Sequence, residues 1–367
     1  MATPYYDPDT EGIVYVVRPY AGGCDQDDSD SDMETISSAS TARTTSTITS
    51  EEVGDYFREA YGRTYAHDEN LPLMYPIDDI ETRRHQMQHV FLKALVHGNY
   101  IGPVQDVLRP RADGSRPRIL DIRTCAGNWA QDMAAEFPHC DITSIDIAPI
   151  ASHTPRANIT FEIYDLYAGV AEPDESFDYV KEYDRLIFDL HRVLKPGGLI
   201  TICEVENQVY DADQPLYDIP AYQTFPDAAR ALQVLRIAAE KQGIDIDAIH
   251  HFHEWIQPNS PFWTHTAEKY GIPSPRREIT TRGFRDVHKQ IVLMPVGAWH
   301  SDPAVQQVGD LIARGFSLAW KQLEPSLIDS GTPPEEASRI CSAIIEAYSR
   351  SDFHVVGKYH MVYGTKN

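Results

Sequence analysis

The central part of the chain alternates short apolar runs with stretches in which apolar residues recur every three or four positions. Short apolar runs bounded by turn residues indicate buried strands, and the longer recurrence indicates helices. Repeated strand–helix units predict an α/β fold with a parallel sheet and helices on both faces. The predicted strands lie at 118–122, 141–147, 158–163, 177–180 and 199–204, with helices at 128–137 and 182–194 and a Lys195-Pro-Gly-Gly198 turn before the fifth strand.

An amphipathic helix is predicted ahead of this region. Asp78 and Asp79 can begin it, and Gly98 can end it, with apolar residues at three- and four-residue steps between them. His85 and His89 lie one turn apart on this helix, a spacing that can bind a metal. Because no third ligand is apparent, we interpret them as two partly exposed helix histidines.

The residues after 204 contain two more predicted strands and one segment that departs from the strand–helix pattern. Apolar runs at 290–294 and 358–363 predict two more strands. Residues 207–285 instead break the strand–helix rhythm, with a helix at 227–242 and a stretch rich in His and aromatic residues at 250–263. We expect this segment to be a helical lid insertion that covers the ligand end of the sheet.

The N-terminal residues differ in composition from the rest. Residues 24–52 are almost all acidic, Ser or Thr, so they bury too little apolar surface to offset their chain entropy. We therefore predict a disordered tail at 1–52, a helical cap at 53–110 and the main domain at 111–367, with its insertion at 207–285.

Composition excludes some kinds of partner. The formal net charge is -23, from 55 acidic and 32 basic residues, and such a field repels phosphate backbones and anionic lipids. Nucleic-acid and membrane-surface binding are therefore disfavoured, and the arginines of 109–118 are interpreted as a solvated loop. Five scattered cysteines without a secretory leader indicate free thiols in a reducing compartment. We expect a cytoplasmic protein and leave a nuclear location open.

Polar residues follow the first two predicted strands where ligands bind in doubly wound sheets, beyond the strand ends at the switch point. The loop from Asp121 to Gly127 joins the first strand to a helix. Asp146 ends the next strand and can accept hydrogen bonds from ribose hydroxyls, and Asp165 follows the third strand. Dinucleotide binding is disfavoured because the loop lacks GxGxxG.

Several separated motifs now point to a family. The segment RILDIRTCAGNWAQDMAAEFPHCDITSIDIAPI resembles the S-adenosyl-L-methionine (SAM) core of the fungal LaeA-like (UMTA-type) methyltransferases. The similarity covers roughly residues 56–367. It also includes YGRTY at 61–65, Tyr75-Pro, His89, GFRDV at 283–287, PVGAW at 295–299 and YGTK at 363–366. The resemblance implies a Rossmann-like seven-stranded methyltransferase sheet, SAM as methyl donor, and frequent roles in fungal secondary metabolism.

The resemblance also implies a set of SAM contacts. Asp121, Thr124 and Gly127 would line the methionine end, and Cys125 would be tolerated in the same loop as a small residue. Asp146 would bind the ribose. The adenine would contact the carboxylate of Asp165 and the backbone N–H of Leu166. Capping of the following helix by Asp121, an ordinary turn role for Asp165 and a surface carboxylate at Asp146 are the alternative interpretations.

Two departures from the family pattern bear on activity. Arg123 and Cys125 stand where the family has glycines, which let the backbone turn tightly beside the ligand. In addition, Val180 runs directly into Lys181-Glu-Tyr-Asp, without the loop and helix that relatives place there. The missing segment would form a wall of the donor pocket near the transferring methyl.

The chemistry of methyl transfer leaves the catalytic residues open. The donor is already activated, so alignment and water exclusion can supply most of the catalysis. A general base would help for an O- or N-linked acceptor. Candidates are Glu204, His250, His251, His253 and His265. The HHFHEW run matches no standard metal spacing and is interpreted as a His-rich lid.

The sequence is consistent with two functions. The first is a SAM-dependent methyltransferase acting on a small-molecule acceptor, an aromatic or polyketide-like metabolite of fungal secondary metabolism. The alternative is a catalytically impaired protein of the same fold that works as a regulator or scaffold by binding a protein partner. The altered loop and the gap after Val180 favour the alternative, and NAD-linked oxidoreduction is the weakest reading.

Overall fold

Seven strands form one mixed sheet in the computed structural model of the chain. The structure describes residues 4–7, 12–17, 46–48, 52–67, 75–148, 156–163, 166, 169–181, 186–214, 216–269 and 282–367. The strands are β1 (Arg118–Ile122), β2 (Asp141–Asp146), β3 (Ile159–Ile163), β4 (Phe177–Lys181), β5 (Leu194–Asp211), β6 (Phe284–Val296) and β7 (Val355–Lys366). The helices are α1 (Asp79–Val96), α2 (Asn128–Glu136), α3 (Ile187–Val193), α4 (Pro226–Lys241), α5 (Pro261–Lys269), α6 (Pro303–Asp329) and α7 (Pro334–Ala347), with short helices at Val104–Val107 and Phe252–Trp255.

The strand order defines the topology. Across the sheet it is β6-β7-β5-β4-β1-β2-β3. The first five strands are parallel, and β7 runs antiparallel between β5 and β6. Strand β1 lies between β4 and β2, so the order reverses beside it and the carboxyl end of β1 is the switch point. The expected α/β class with a seven-stranded Rossmann-like sheet is confirmed.

Both faces of the sheet are covered because successive strand residues point to opposite sides. On one face, Ile119 and Tyr179 pack with Met133 of α2. On the other face, Leu120 and Val180 pack with α3 and with the residues of the insertion around Trp263. A third core joins α4, α6 and α7 to one end of the sheet.

Helix α1 begins and ends close to the predicted positions. The side chain of Asp78 accepts hydrogen bonds from the backbone N–H groups of Ile80 and Glu81, which stabilises the first turn by about 1 kcal/mol. His97 ends the helix in a left-handed conformation, one residue before the predicted Gly98.

Several elements differ from the sequence-based expectations. Strand β5 begins at Leu194 rather than 199, because the Lys195-Pro-Gly-Gly198 turn forms an irregularity within a longer strand. Helices α6 and α7 occupy residues for which the sequence analysis gives no element. The start of the predicted 182–194 helix, residues 182–185, lies outside the described residues, and α3 covers the rest of it up to Val193.

The N-terminal region contains more strand than expected. Pro4–Asp7, Gly12–Val17 and Ser46–Ile48 form a three-stranded antiparallel sheet within the segment predicted as a disordered tail. The Ser/Thr-rich residues 24–45 lie outside the described residues. A hairpin of Phe57–Ala60 and Arg63–Ala66 precedes α1 in the region predicted as a helical cap. The three-part domain division stays a prediction. No helix within the described ranges is long and apolar enough to cross a membrane.

Candidate functional site

The loop between β1 and α2 lies at the switch point and makes a tight turn. The backbone N–H of Thr124 donates to the carbonyl of Ile145 at 3.1 Å, and that of Gly127 donates to the carbonyl of Thr124 at 2.8 Å. Arg123, Cys125 and Gly127 have φ angles of 58°, 49° and 72°. The left-handed region costs a residue with a β-carbon about 1–2 kcal/mol. The two residues that replace family glycines therefore adopt the backbone conformation that favours glycine.

Two acidic residues hold this loop by hydrogen bonds, Asp146 directly and Asp121 through the hydroxyl groups of Ser144 and Thr124. Asp146 accepts the backbone N–H of Cys125 on Oδ2 at 2.8 Å and that of Ile147 on Oδ1 at 2.7 Å. Asp121 accepts the hydroxyl of Ser144 on Oδ2 at 2.8 Å. In the part of the chain that the structure describes, its Oδ1 is buried without a hydrogen-bond partner, and Nζ of Lys181 lies 3.7 Å away.

Burial controls the ionisation of these groups. It raises the pKa of Asp146 to about 6 and also raises the pKa of Asp121, which the charge of Lys181 partly counteracts. Burial raises the pKa of the Cys125 thiol to about 12, with the negative charge of Asp146 adding to the effect. Cys125 is therefore a neutral thiol at physiological pH, in agreement with its interpretation as a small buried residue rather than a nucleophile.

A cleft of about 160 Å³ opens beside the loop. Its floor comes from alternate residues of the central strands, and one wall comes from α1. The floor comprises Tyr179, Thr201, Cys203, Tyr359 and Met361, the α1 wall includes His85, Gln88, His89 and Leu92, and the loop end includes Thr124, Cys125, Ala126 and Trp129. Lys181 also lines the cleft, with its ammonium 4.9 Å from the centre of the Trp129 ring. The cleft thus combines the aromatic side chains of Tyr100, Trp129, Tyr179 and Tyr359 with cations and with histidines along one side.

The two histidines of α1 are partly exposed, as the sequence interpretation has them, and the structure also places both on the cleft wall. His89 Nε2 lies 2.9 Å from Oδ2 of Asp132, which also accepts a hydrogen bond from Lys93. His85 Nε2 lies 3.2 Å from Oε1 of Glu81. Burial holds the pKa of His85 well below its usual value. Their four-residue spacing was visible in the sequence, but nothing there showed that this helix face covers the cleft.

The predicted base candidates do not reach the cleft. Thr201 and Cys203 of β5 line it, but Glu204 does not, and its carboxylate accepts the backbone N–H of Val205 at 3.0 Å. Among the described residues of 207–285, none lines the cleft. The insertion is helical as expected, but its described helices do not cover the cleft. The segment around Trp263 packs instead against α3, where an apolar surface is available, so His250, His251, His253 and His265 lie elsewhere.

The predicted SAM contacts fall into two groups. Thr124 and Cys125 line the cleft directly. Asp121, Gly127 and Asp146 lie behind them in the same loop network, and Leu166 is buried near the sheet. Asp165 lies outside the described residues. Their roles in cofactor binding stay predictions.

Comparison with known proteins gives relatives at low identity. No protein-family model matches the chain. It is 26% identical to "Methyltransferase pytC" of Aspergillus terreus, over 83% of this chain and 87% of the relative. It is 25% identical to "Secondary metabolism regulator laeA" of Coprinopsis cinerea, over 59% of this chain and 56% of the relative. The resemblance to LaeA-like methyltransferases is thereby confirmed.

The similarity to solved structures is weak. Phosphoethanolamine N-methyltransferase 2 of Haemonchus contortus matches 79% of this chain and 60% of its own, at 13% identity and a TM-score of 0.35. A TM-score of this size indicates only slight similarity in overall shape and does not bear on function.

Proposed function

We propose that the chain binds SAM in the cleft beside β1 and transfers its methyl group to a small-molecule acceptor. The proposal rests chiefly on the loop network of Asp121, Thr124 and Asp146, which lies at the switch point of the sheet next to a cleft with aromatic side chains in its lining. The relative named as a methyltransferase supports the same reaction class.

The residues present fit the cofactor in chemical terms. The buried Oδ1 of Asp121 has no hydrogen-bond partner within the described ranges and lies 3.7 Å from Nζ of Lys181, so it keeps acceptor capacity for an amino group beside that ion pair. Asp146 uses one lone pair on each oxygen for backbone N–H groups, which leaves acceptor capacity for ribose hydroxyls. The N-terminus of α2 can bind a carboxylate through its first backbone N–H groups. When bound, SAM supplies an electrophilic methyl group on a sulfonium.

The cleft residues suit a flat, largely apolar acceptor. Tyr179, Tyr359 and Trp129 present aromatic surface, and Met361 adds an adaptable apolar contact. Enclosure of the acceptor by these side chains aligns it and excludes water. These features favour an aromatic or polyketide-like metabolite of secondary metabolism as the acceptor.

His89 is the residue of the cleft best placed to accept a proton from the acceptor. Asp132 orients the imidazole through Nε2, so Nδ1 carries the lone pair that a base requires. The resulting pair resembles the carboxylate–imidazole arrangements that fix a histidine tautomer.

A second function is favoured by one specific observation. Arg123 and Cys125 hold left-handed backbone conformations in the loop that would contact the donor. A strained loop with a long side chain weakens binding, and a chain that binds SAM poorly could act as a regulator through a protein partner. The relatives named as regulators support this alternative.

Calorimetric titration with S-adenosylhomocysteine separates the two. A methyltransferase should bind it at micromolar concentration, and Asp146→Ala should abolish binding. Asp141→Ala, at the exposed start of the same strand, is the matched control and should bind normally. No heat of binding to the wild-type protein at high micromolar ligand would favour the regulator.

The role of His89 is tested by His89→Asn, assayed by transfer of labelled methyl to a panel of phenolic acceptors. Loss of a general base should lower kcat by about 100-fold or more while S-adenosylhomocysteine binding stays intact. His97→Asn is the control, because it lies at the end of the same helix in a left-handed conformation that Asn tolerates. An unchanged kcat in His89→Asn would remove this residue from the mechanism.

A further inference from the structure

Three potential metal ligands meet on the side of the sheet away from the cleft. They are Glu206 of β5, His250 of the short helical turn Ala248–His250, and His360 of β7. One ligand atom from each lies within 4.8 Å of the others. Nε2 of His360 is 2.9 Å from Oε2 of Glu206, and Nε2 of His250 is 3.5 Å from Oε1.

Strand geometry separates this cluster from the cleft. Tyr359 and Met361 line the cleft, so His360 between them projects to the opposite face of the sheet. Glu206 lies in β5 where its pairing with β7 shifts register between Val205 and Val209. The cluster is therefore distinct from the site proposed for methyl transfer.

The burial of the cluster is unusual for charged groups. Glu206 is 7% exposed and His360 is 3% exposed, whereas His250 is partly open to solvent. A buried carboxylate is costly unless it is paired, and here it also accepts the hydroxyl of Tyr210 at 2.5 Å. Asp247 adds negative charge near His250 and Lys289 adds positive charge.

We propose that Glu206, His250 and His360 bind one divalent transition-metal ion of the zinc type. Two imidazole nitrogens and one carboxylate oxygen form a standard set of three protein ligands, with a fourth position left for water. Bonds of about 2.0–2.2 Å to a tetrahedral ion place ligand atoms about 3.3–3.6 Å apart. The separations of 2.9 and 3.5 Å are measured to the two different oxygens of Glu206, and one ligand atom from each residue lies within 4.8 Å of the others. Binding an ion would therefore draw the partly exposed His250 slightly towards the other two ligands. The half-open side at His250 provides the entry path.

An ion at this position would connect the insertion to the sheet. His250 belongs to the insertion, and the other two ligands belong to adjacent antiparallel strands. The ion would replace the direct contact between Glu206 and His360 and hold all three elements together. Metal binding should therefore stabilise the folded chain, because an ion that binds only the folded state raises its stability by mass action.

The test uses full-length protein stripped of metal and titrated with Zn²⁺, and with Co²⁺ for its visible absorption. We expect one ion per chain. His250→Ala and Glu206→Gln should each weaken binding by at least about 100-fold, the upper end of the effect of losing even an outer-sphere partner. His251→Ala, the exposed neighbour, should bind like the wild type.

Thermal unfolding gives an independent readout. Zinc should raise the Tm of the wild type and of His251→Ala but not that of His250→Ala. Because His250 is partly exposed, His250→Ala should fold, and its Tm measured in the presence of a chelator checks its folding. Its response to zinc tests the proposal even if Glu206→Gln does not fold. Absence of binding to the wild type, or equal binding by His250→Ala, would overturn the proposal and leave the cluster as a buried ion pair.

Discussion

Two residues of the β1–α2 loop hold conformations that their side chains disfavour. Arg123 and Cys125 both lie in the left-handed region, and the loop is held there by the contact of Asp146 with the backbone of Cys125. The sequence indicated that glycine was missing from these positions. Only the structure shows that the backbone keeps the glycine conformation despite the substitution.

Replacement of these residues by glycine should therefore stabilise the protein. We expect Arg123→Gly and Cys125→Gly each to raise the free energy of unfolding in urea by about 1 kcal/mol, and the pair to strengthen S-adenosylhomocysteine binding. Ala126→Gly is the control, because Ala126 has no positive φ. That substitution should destabilise the chain by about 0.4–1 kcal/mol through the entropy of the unfolded state. If Arg123→Gly and Cys125→Gly both lowered the free energy of unfolding, the proposal that these two residues are strained would be wrong.

Asp146 gives cofactor binding a pH dependence. Its pKa, raised by burial to about 6, exceeds the ordinary 3.8, so the folded state holds the proton more tightly than the unfolded chain. This group therefore lowers stability as pH rises from about 4 to 6. The charged form is the better acceptor for ribose hydroxyls. Affinity for S-adenosylhomocysteine should thus fall by up to about tenfold per pH unit below 6. Titrations across this range should show a flat, weak profile for Asp146→Asn.

At the scale of elements, α1 is attached to the rest of the molecule by apolar packing of Phe91, by the contacts of His89 and Lys93 with Asp132, and by one buried carboxylate. Glu81 is 1% exposed and pairs with Arg84 through bonds of 2.8 and 2.6 Å. It also accepts a hydrogen bond from Gln322 of α6. The cleft wall that carries His89 thus depends on a contact with a distant helix.

Removal of that charge should loosen the wall. We expect Glu81→Gln to lower the free energy of unfolding by about 3 kcal/mol, because it leaves the largely buried guanidinium of Arg84 without a carboxylate partner, while the amide oxygen of Gln88 still accepts one of its N–H groups. S-adenosylhomocysteine affinity should fall as well. Asp79→Asn, in the exposed first turn of the same helix, should change stability by no more than about 0.5 kcal/mol. Equal losses in the two variants, measured by urea unfolding, would argue against an anchoring role.

Local patterns predicted the strands well and the helical surroundings less well. Strand β1 was predicted at its observed bounds, because Ile119, Leu120 and Ile122 make a short apolar segment and the turn residues around it are close in sequence. The carboxylates at the strand ends followed from the same reasoning. The cleft wall did not, because the packing of α1 depends on residues of α6 more than 200 positions away. The sequence analysis identified His89 and its spacing from His85, but it did not predict that His89 lines the cleft.

At the scale of the whole molecule, charge distinguishes the donor from its product. The net charge of -23 produces a negative long-range field around the molecule, whereas the charged side chains of the described residues that line the cleft itself are the cations Lys93, Arg123 and Lys181. SAM carries one more positive charge than S-adenosylhomocysteine, so it should be bound with help from that field.

The expected consequence is a difference in salt dependence. Affinity for SAM should fall about threefold more than affinity for S-adenosylhomocysteine between low and high salt, as expected when a potential of order one kT is screened. Parallel titrations of the two ligands measure this, with the product as internal control. Identical salt dependence would show that the field does not reach the cleft.

The central position of β7 affects how the chain can fold during synthesis. This strand comes from residues 355–366, yet it lies between β5 and β6 and supplies two side chains to the cleft floor. While the chain is being synthesised, β6 therefore has no neighbour to pair with until those residues leave the ribosome. A premature stop codon before residue 355 would separate β6 from the rest of the sheet. The product should be a substrate for chaperones and proteases rather than a weakened enzyme.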